Sequence, residues 1–121
     1  MAKTILVVED SSSIRQLLSS TLTRFGYTVV EAVDGLDGLV KLEDLAVDLI
    51  ITDLHMPSLD GIGLIHGVRD NAAYRFVPII ILTTENQNAI KHEAVTAGAS
   101  AWVTKPFKPA EILDVIRKVM H

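Results

Sequence analysis

Five side chains suited to phosphate or metal chemistry stand at the ends of short apolar runs. Glu9 and Asp10 follow Ile5-Leu6-Val7-Val8, Asp53 follows Leu49-Ile50-Ile51-Thr52, Thr83 follows the run 77–82, and Lys105 comes just after the run 101–103. Carboxylates crowded at one place repel one another and acquire raised pKa values unless a cation lies among them. Oxygen donors in this number suit a hard ion, and Mg2+ fits because it accepts a site completed by water. Any one polar residue at a strand end is ordinarily a solvated loop residue. Several of complementary type at the same ends of successive runs point instead to a site.

The elements that must position these residues alternate along the whole chain. Thr4–Val8, 28–30, Leu49–Thr52, 77–82 and 101–103 read as strands. The first, third and fourth are apolar without alternation, as strands buried on both faces should be. Between them run segments of helical period. Ile14, Leu17, Leu18, Leu22 and Phe25 make the first, with Ser11 to Ser13 as caps and Gly26 as a stop. The second spans 34–45 with Leu36, Leu39 and Val40 on one face. The third begins near Asp60 and carries Ile62, Ile65 and Val68, with Gly63 and Gly67 marking it as irregular. The fourth, 86–97, is the least apolar and stops at Gly98. The last begins after Pro109 and carries Ile112, Leu113, Ile116 and Met120.

Strand–helix repeated in this way implies an α/β fold, a doubly wound five-stranded parallel sheet with right-handed crossovers. Its expected order is 2-1-3-4-5, the flavodoxin-like pattern, in which ligands bind beyond the carboxyl ends of strands 1 and 3. The 121 residues suit one domain over 1–121. The absence of cysteine removes disulfides, thiolate metal sites and thiol nucleophiles, and favours a cytoplasmic location. No apolar run approaches a membrane span. A net charge of −4 speaks against nucleic acid as a partner. His55, His66, His92 and His121 have no metal-type spacing and read as solvated, and no phosphate-binding loop of the nucleotide-hydrolase kind is present.

In order and spacing, Ile5–Asp10, Thr52-Asp53-Leu54-His55-Met56-Pro57 with Asp60-Gly61, Ile81-Leu82-Thr83 and Lys105-Pro106-Phe107 resemble the receiver domains of bacterial response regulators. The resemblance spans essentially the whole chain. It implies that Asp53 accepts a phosphoryl group, with Mg2+ held by Glu9, Asp10, Asp53 and the backbone carbonyl of His55. It also implies that Thr83 and Lys105 bind the phosphoryl oxygens and that the bond before Pro106 is cis. Trp102 would be the aromatic switch, where the family usually has Tyr or Phe, although an aromatic near a strand can also be plain core. His55 and Glu85 would flank the hydrolytic water and set the lifetime of the modification.

The implied partners are a histidine kinase as phosphodonor and a separate downstream protein that reads a surface of helix 4, strand 5 and helix 5. The run Gly98–Phe107 looks most like chemotaxis-type members, for which the flagellar motor switch is the target; a phosphorelay intermediate is the alternative. The chain is expected to be a monomer and to act only on its own phosphorylation state, without turning over a substrate. A haloacid-dehalogenase-like phosphatase would share the strand-end Asp and Mg2+, but its second Asp is replaced by His55. A flavodoxin-like cofactor binder would share the sheet, but Glu9 and Asp10 would repel its phosphate.

Overall fold

Apolar runs without alternation become strands covered on both faces. In the computed structural model, which describes residues 2–120, these are β1 (Thr4–Val8), β3 (Leu49–Thr52) and β4 (Ile79–Thr83). The edges are β2 (Thr28–Ala32) and β5 (Ala101–Thr104), and every pairing is parallel in the order β2-β1-β3-β4-β5. This is the doubly wound order expected from the sequence. His121, read above as a solvated histidine, lies outside the described residues.

The chain moves one way from β1 to β2 and the other way from β3 onward. Right-handed crossovers therefore put the helix after β1 on one face and those after β2, β3 and β4 on the other. Here α1 (Ser12–Arg24) and α5 (Pro109–Val119) cover one face, where Leu18, Leu22, Ile112, Leu113 and Ile116 meet Ile5, Val7, Ile80 and Leu82. On the other face α2 (Gly35–Asp44), α3 (Gly61–Asp70) and α4 (Asn88–Ala97) cover Leu6, Val8, Ile50, Ile79 and Ile81. Alternate residues of one strand thus serve two cores, the period-2 consequence of the pleat.

Local signals start and stop these elements. Ser11, Asp34 and Asp60 cap α1, α2 and α3 by accepting from Ile14 N–H, Asp37 N–H and Gly63 N–H. Pro109 occupies the first turn of α5, where its missing N–H leaves no bond unmade. β4 begins at Ile79 rather than Val77 because Pro78 has no N–H for the ladder; only its carbonyl takes part, accepting from Ile50 N–H at 3.0 Å. β2 runs on to Ala32, since Glu31 and Ala32 pair with Val7 and Val8. α3 is regular throughout: Gly63 and Gly67 do not interrupt it, with Leu64, Ile65 and Val68 fully buried beneath it. A short 3-10 turn (Ala72–Tyr74), not expected from sequence, puts the Tyr74 hydroxyl on the Leu45 carbonyl.

The face of α2 differs from the sequence expectation. Leu36 and Val40 are more than half exposed, Leu39 is half-buried, and the helix instead turns Gly35, Gly38 and Leu42 inward. A Cβ on Gly38 would lie 3.1 Å from Val8 Cγ2, so the missing side chain allows close approach of helix to sheet. Leu17 and Phe25, assigned to the inner face of α1, are likewise about half exposed.

Gly61 makes a very tight approach beside the end of β3. A Cβ there would stand 2.5 Å from the Asp53 carbonyl oxygen and 2.8 Å from Leu54 Cα, both backbone atoms with no room to give. Gly61→Ala is expected to destabilise the chain by about 1–3 kcal/mol, the usual range for overpacking. Urea unfolding checks this, and an unchanged midpoint would contradict it.

Candidate functional site

β1 and β3 are neighbours whose following helices leave on opposite faces, so their carboxyl ends open into a crevice. Glu9 is the first residue beyond β1, and its N–H extends the ladder to Ala32 O at 3.1 Å. Asp53 is the first beyond β3, and its N–H reaches Val8 O at 3.1 Å. Both carboxylates therefore grow from backbone that still belongs to the sheet. Glu9, Asp10 and Asp53 bring carboxylate oxygens within 4.8 Å of one another. Glu9 is 1% exposed and Asp53 9%, whereas Asp10 faces solvent.

The crowding is met by one ammonium. Lys105 Nζ donates to Glu9 Oε1 at 2.6 Å and to Asp53 Oδ2 at 2.8 Å. Asp53 Oδ1 accepts from Leu54 N–H at 2.6 Å and, at a longer 3.4 Å, from His55 N–H. The carboxylate plane of Asp53 is thus set from both sides. Burial pushes the Glu9 carboxyl above its ordinary value, against the lowering effect of Lys105 and the Ser11 N–H. Burial also pulls on Lys105 in the direction that would discharge it. Its bonds to Asp53 and Glu9 outweigh that and leave its pKa raised, so the ammonium stays protonated.

Three carboxylates against one ammonium leave two negative charges, the complement of one divalent cation. The all-oxygen donors, one of them solvent-facing, fit Mg2+ in particular, which keeps part of its water shell.

The remaining expected residues fall around this cluster. Thr83 ends β4, fully buried, its Oγ1 accepting from Glu85 N–H at 3.3 Å. The register Thr52↔Ile81 sets it one residue beyond the level of Asp53. The Lys105–Pro106 bond is cis. His55 is exposed and Glu85 half-buried, and His66 and His92 are exposed. Trp102 lies in β5 opposite Ile81, half-buried against the core under α2, α3 and α4. Its indole N–H is buried without a partner among the described residues, and Lys91 of α4 places its ammonium 5.4 Å from the ring centre. Beside the cluster, a cavity of about 370 Å3 is lined by Ile14, Leu17, Thr84, Lys105, Pro106 and Phe107.

One residue at the site was not anticipated from sequence. Arg15 of α1 donates from Nη1 to the Glu9 carbonyl at 2.7 Å and from Nε to Glu31 Oε1 at 3.2 Å. A lone arginine in a helix reads as solvated. The available signal was its place one turn past the Ser11 cap, from which a long side chain can fold back over the strand ends.

Known proteins match this arrangement along its length. The sequence pattern of the response regulator receiver domain matches residues 5–117. The chain is 36% identical over 118 residues to chemotaxis protein CheY1 of Helicobacter pylori, covering 96% of this chain and 95% of that one. The solved structure of chemotaxis protein CheY4 of Vibrio cholerae superposes with a TM-score of 0.96 at 39% identity, covering 99% of this chain and 100% of that one. The receiver domain of sensor histidine kinase PA1611 of Pseudomonas aeruginosa, solved with a magnesium ion coordinated in its active site cleft, superposes with a TM-score of 0.90. That match is 29% identical and covers 98% of both chains.

The raised value of Glu9 has a consequence for stability. With a folded pKa above the ordinary 4.5, the native state holds its proton where the unfolded chain has lost it. The stability from this group is present below that value and is lost as pH rises through the folded value. Glu9→Gln removes the effect, so the variant should gain on the parent chain as pH rises above the ordinary glutamate value of 4.5. Urea unfolding in a chelator measures the gap; one that does not change with pH would show that Glu9 ionisation does not strain the fold.

Proposed function

The chain belongs to the response regulator receiver family, phosphoacceptors of two-component signalling, and we propose that Asp53 is the residue that takes the phosphoryl group here. The observation that carries this is the placing of Asp53: a rigid strand end, Lys105 at 2.8 Å, and Glu9 and Asp10 beside it. Glu9, Asp10, Asp53 and the backbone carbonyl of His55 are the residues that would hold Mg2+. When bound, the ion neutralises charge on the transferring group.

The chain's own residues supply the rest. A carboxylate oxygen of Asp53 forms a bond to phosphorus as the bond to the kinase's imidazole nitrogen breaks, and the imidazole leaves. Leu54 N–H holds the carboxylate in plane for in-line attack. Lys105 moves from the Asp53 carboxylate to a phosphoryl oxygen, stabilising charge spread over the equatorial oxygens. The Thr83 hydroxyl turns toward another, leaving its 3.3 Å bond from Glu85 N–H. His55 and Glu85 then stand by the path of the hydrolytic water and set the lifetime. The chain acts on no other substrate; it promotes only its own phosphorylation and dephosphorylation.

Trp102 is the switch. Its resting pose is balanced by small opposing terms: the Lys91 contact contributes about 0.5–1 kcal/mol, while the orphan indole N–H costs about 1–3 kcal/mol. Movement of Thr83 is enough to tip such a balance, and the surface of α4, β5 and α5 changes with it. A histidine kinase is the donor, and the apolar cavity beside Lys105 offers it a landing surface. Chemotaxis proteins among the relatives support a chemotaxis role, with the flagellar switch as target of a cytoplasmic, monomeric, single-domain chain.

Asp53→Asn is expected to fold yet gain no phosphoryl mass from acetyl phosphate and Mg2+, while the parent chain gains one group. Intact-protein mass spectrometry reads this, and equal uptake by the variant would move the acceptor elsewhere. Trp102 is the sole tryptophan, so beryllofluoride with Mg2+ should change its emission saturably. Constant emission would make Trp102 a fixed core residue.

A further inference from the structure

Glu9 and Asp10 are consecutive, and consecutive side chains of an extended strand point to opposite faces. For both carboxylates to meet Asp53 in one crevice, the chain must turn at the Glu9–Asp10 peptide. Glu9 N–H still bonds to Ala32 O at 3.1 Å, so the sheet holds the residue up to its Cα. Its carbonyl, at the turn itself, is held by Arg15 Nη1 at 2.7 Å. The Glu9 side chain is in turn fixed through Oε2 by Ser11 N–H at 3.0 Å.

Arg15 is itself secured at both ends. Its backbone is in the first turn of α1, with N–H to Ser11 O at 2.9 Å, and its Nε bonds to Glu31 on β2. The Arg15 side chain is 17% exposed and that of Glu31 46%. One guanidinium therefore joins β2, the start of α1 and the turn between the two acids. A planar fork with several fixed donors suits such bridging; an ammonium cannot serve both partners with the same geometry.

We propose that Arg15 is a positioning residue for cation binding: by holding the Glu9 carbonyl it aims the Asp10 carboxylate into the crevice, with Glu31 holding Arg15. This rests on the reading of Glu9, Asp10 and Asp53 as the Mg2+ site. Two effects oppose each other. A guanidinium near the site repels a divalent ion, so its removal should tighten binding on charge alone. Glu31 offsets that charge at 3.2 Å, while the peptide orientation has no other side chain to hold it among the hydrogen bonds of the described residues. Orientation is the larger effect.

The test is Mg2+ affinity by calorimetry, with no phosphodonor and at constant ionic strength. Arg15→Ala should weaken binding roughly 10-fold, the lower end for loss of a group that orients a metal ligand. Arg15→Lys, which keeps a donor for the carbonyl, should recover part of the loss. Glu31→Gln should weaken binding less than Arg15→Ala, and Arg24→Ala, which removes a like charge from the far end of α1, should leave affinity unchanged. Should Arg15→Ala not fold, the comparison of Arg15→Lys and Glu31→Gln with the parent chain decides. Parental or tighter affinity in the folded Arg15 variants would overturn the proposal. A parent chain that binds no Mg2+ would overturn the site reading itself.

Discussion

The bonds from Lys105 to Glu9 and Asp53 are the interactions on which the rest of the site depends. Without an ammonium there, two almost fully buried carboxylates and a third beside them would face one another at the edge of an apolar sheet. Like charges with little access to water either take up protons or push apart. Either outcome would dismantle the proposed nucleophile, which must be ionised and fixed. Lys105 is the first residue beyond β5, and the continued ladder, with its N–H on Thr83 O at 2.8 Å, holds the ammonium at the correct height. The paired state is also incomplete: one ammonium leaves two negative charges, which is what the proposed divalent cation would balance.

Under the proposed function, the sheet supplies the rigidity that the chemistry would need, and α4 the looseness that signalling would need. β1, β3 and β4 bury nearly every side chain, and the residues just past their ends inherit that order. By contrast α4 buries only Ala94 fully and has no side-chain cap at its N-terminus. Its other end is anchored: Arg69 of α3 donates to the Gly98 carbonyl at 2.7 Å, and Ser100 Oγ accepts from Ile79 N–H at 3.0 Å. A helix pinned at one end and lightly held at the end nearer Thr83 is suited to pivot. α5 is the opposite case, with Ile112, Leu113 and Ile116 buried and the Lys108 N–H bonded to Glu111. The tightly and the lightly packed parts of the molecule are thus distinguishable.

Legibility in the sequence followed the physics of each signal. Unbroken apolar runs can be satisfied only by burial on both faces, so the interior strands could be read directly; their order, and with it the convergence of Glu9, Asp53 and Lys105, came from the flavodoxin-like pattern. The cap at Ser11 was readable because its hydroxyl satisfies a backbone donor locally, and the starts near Asp34 and Asp60 prove to be caps of the same kind. The inner face of α2 was not readable, because its defining feature is the absence of a side chain at Gly38, and hydrophobic periodicity counts only what is present. Arg15 was hidden for a related reason. Its role depends on carbonyl and carboxylate partners from other elements, and nothing in the residue's own neighbourhood announces them.

Under the proposed chemistry, the same electrostatics that stabilise the resting site explain why modification is felt at a distance. Phosphorylation replaces the single negative charge of Asp53 with a phosphoryl group bearing nearly two. Lys105, which now divides its donors between Glu9 and Asp53, is drawn toward the new charge and away from Glu9. One ammonium cannot serve three more oxygens, so further donors must be recruited from what lies nearest. The Thr83 hydroxyl is suited to this, because its present bond from Glu85 N–H is long and its loss costs little. Its departure changes the space between β4 and α4, where Trp102 sits with an unpartnered N–H and one light contact to Lys91. The signal therefore needs no strain stored in the strands. It needs a charge that exceeds the local supply of donors and a neighbouring aromatic held too weakly to resist.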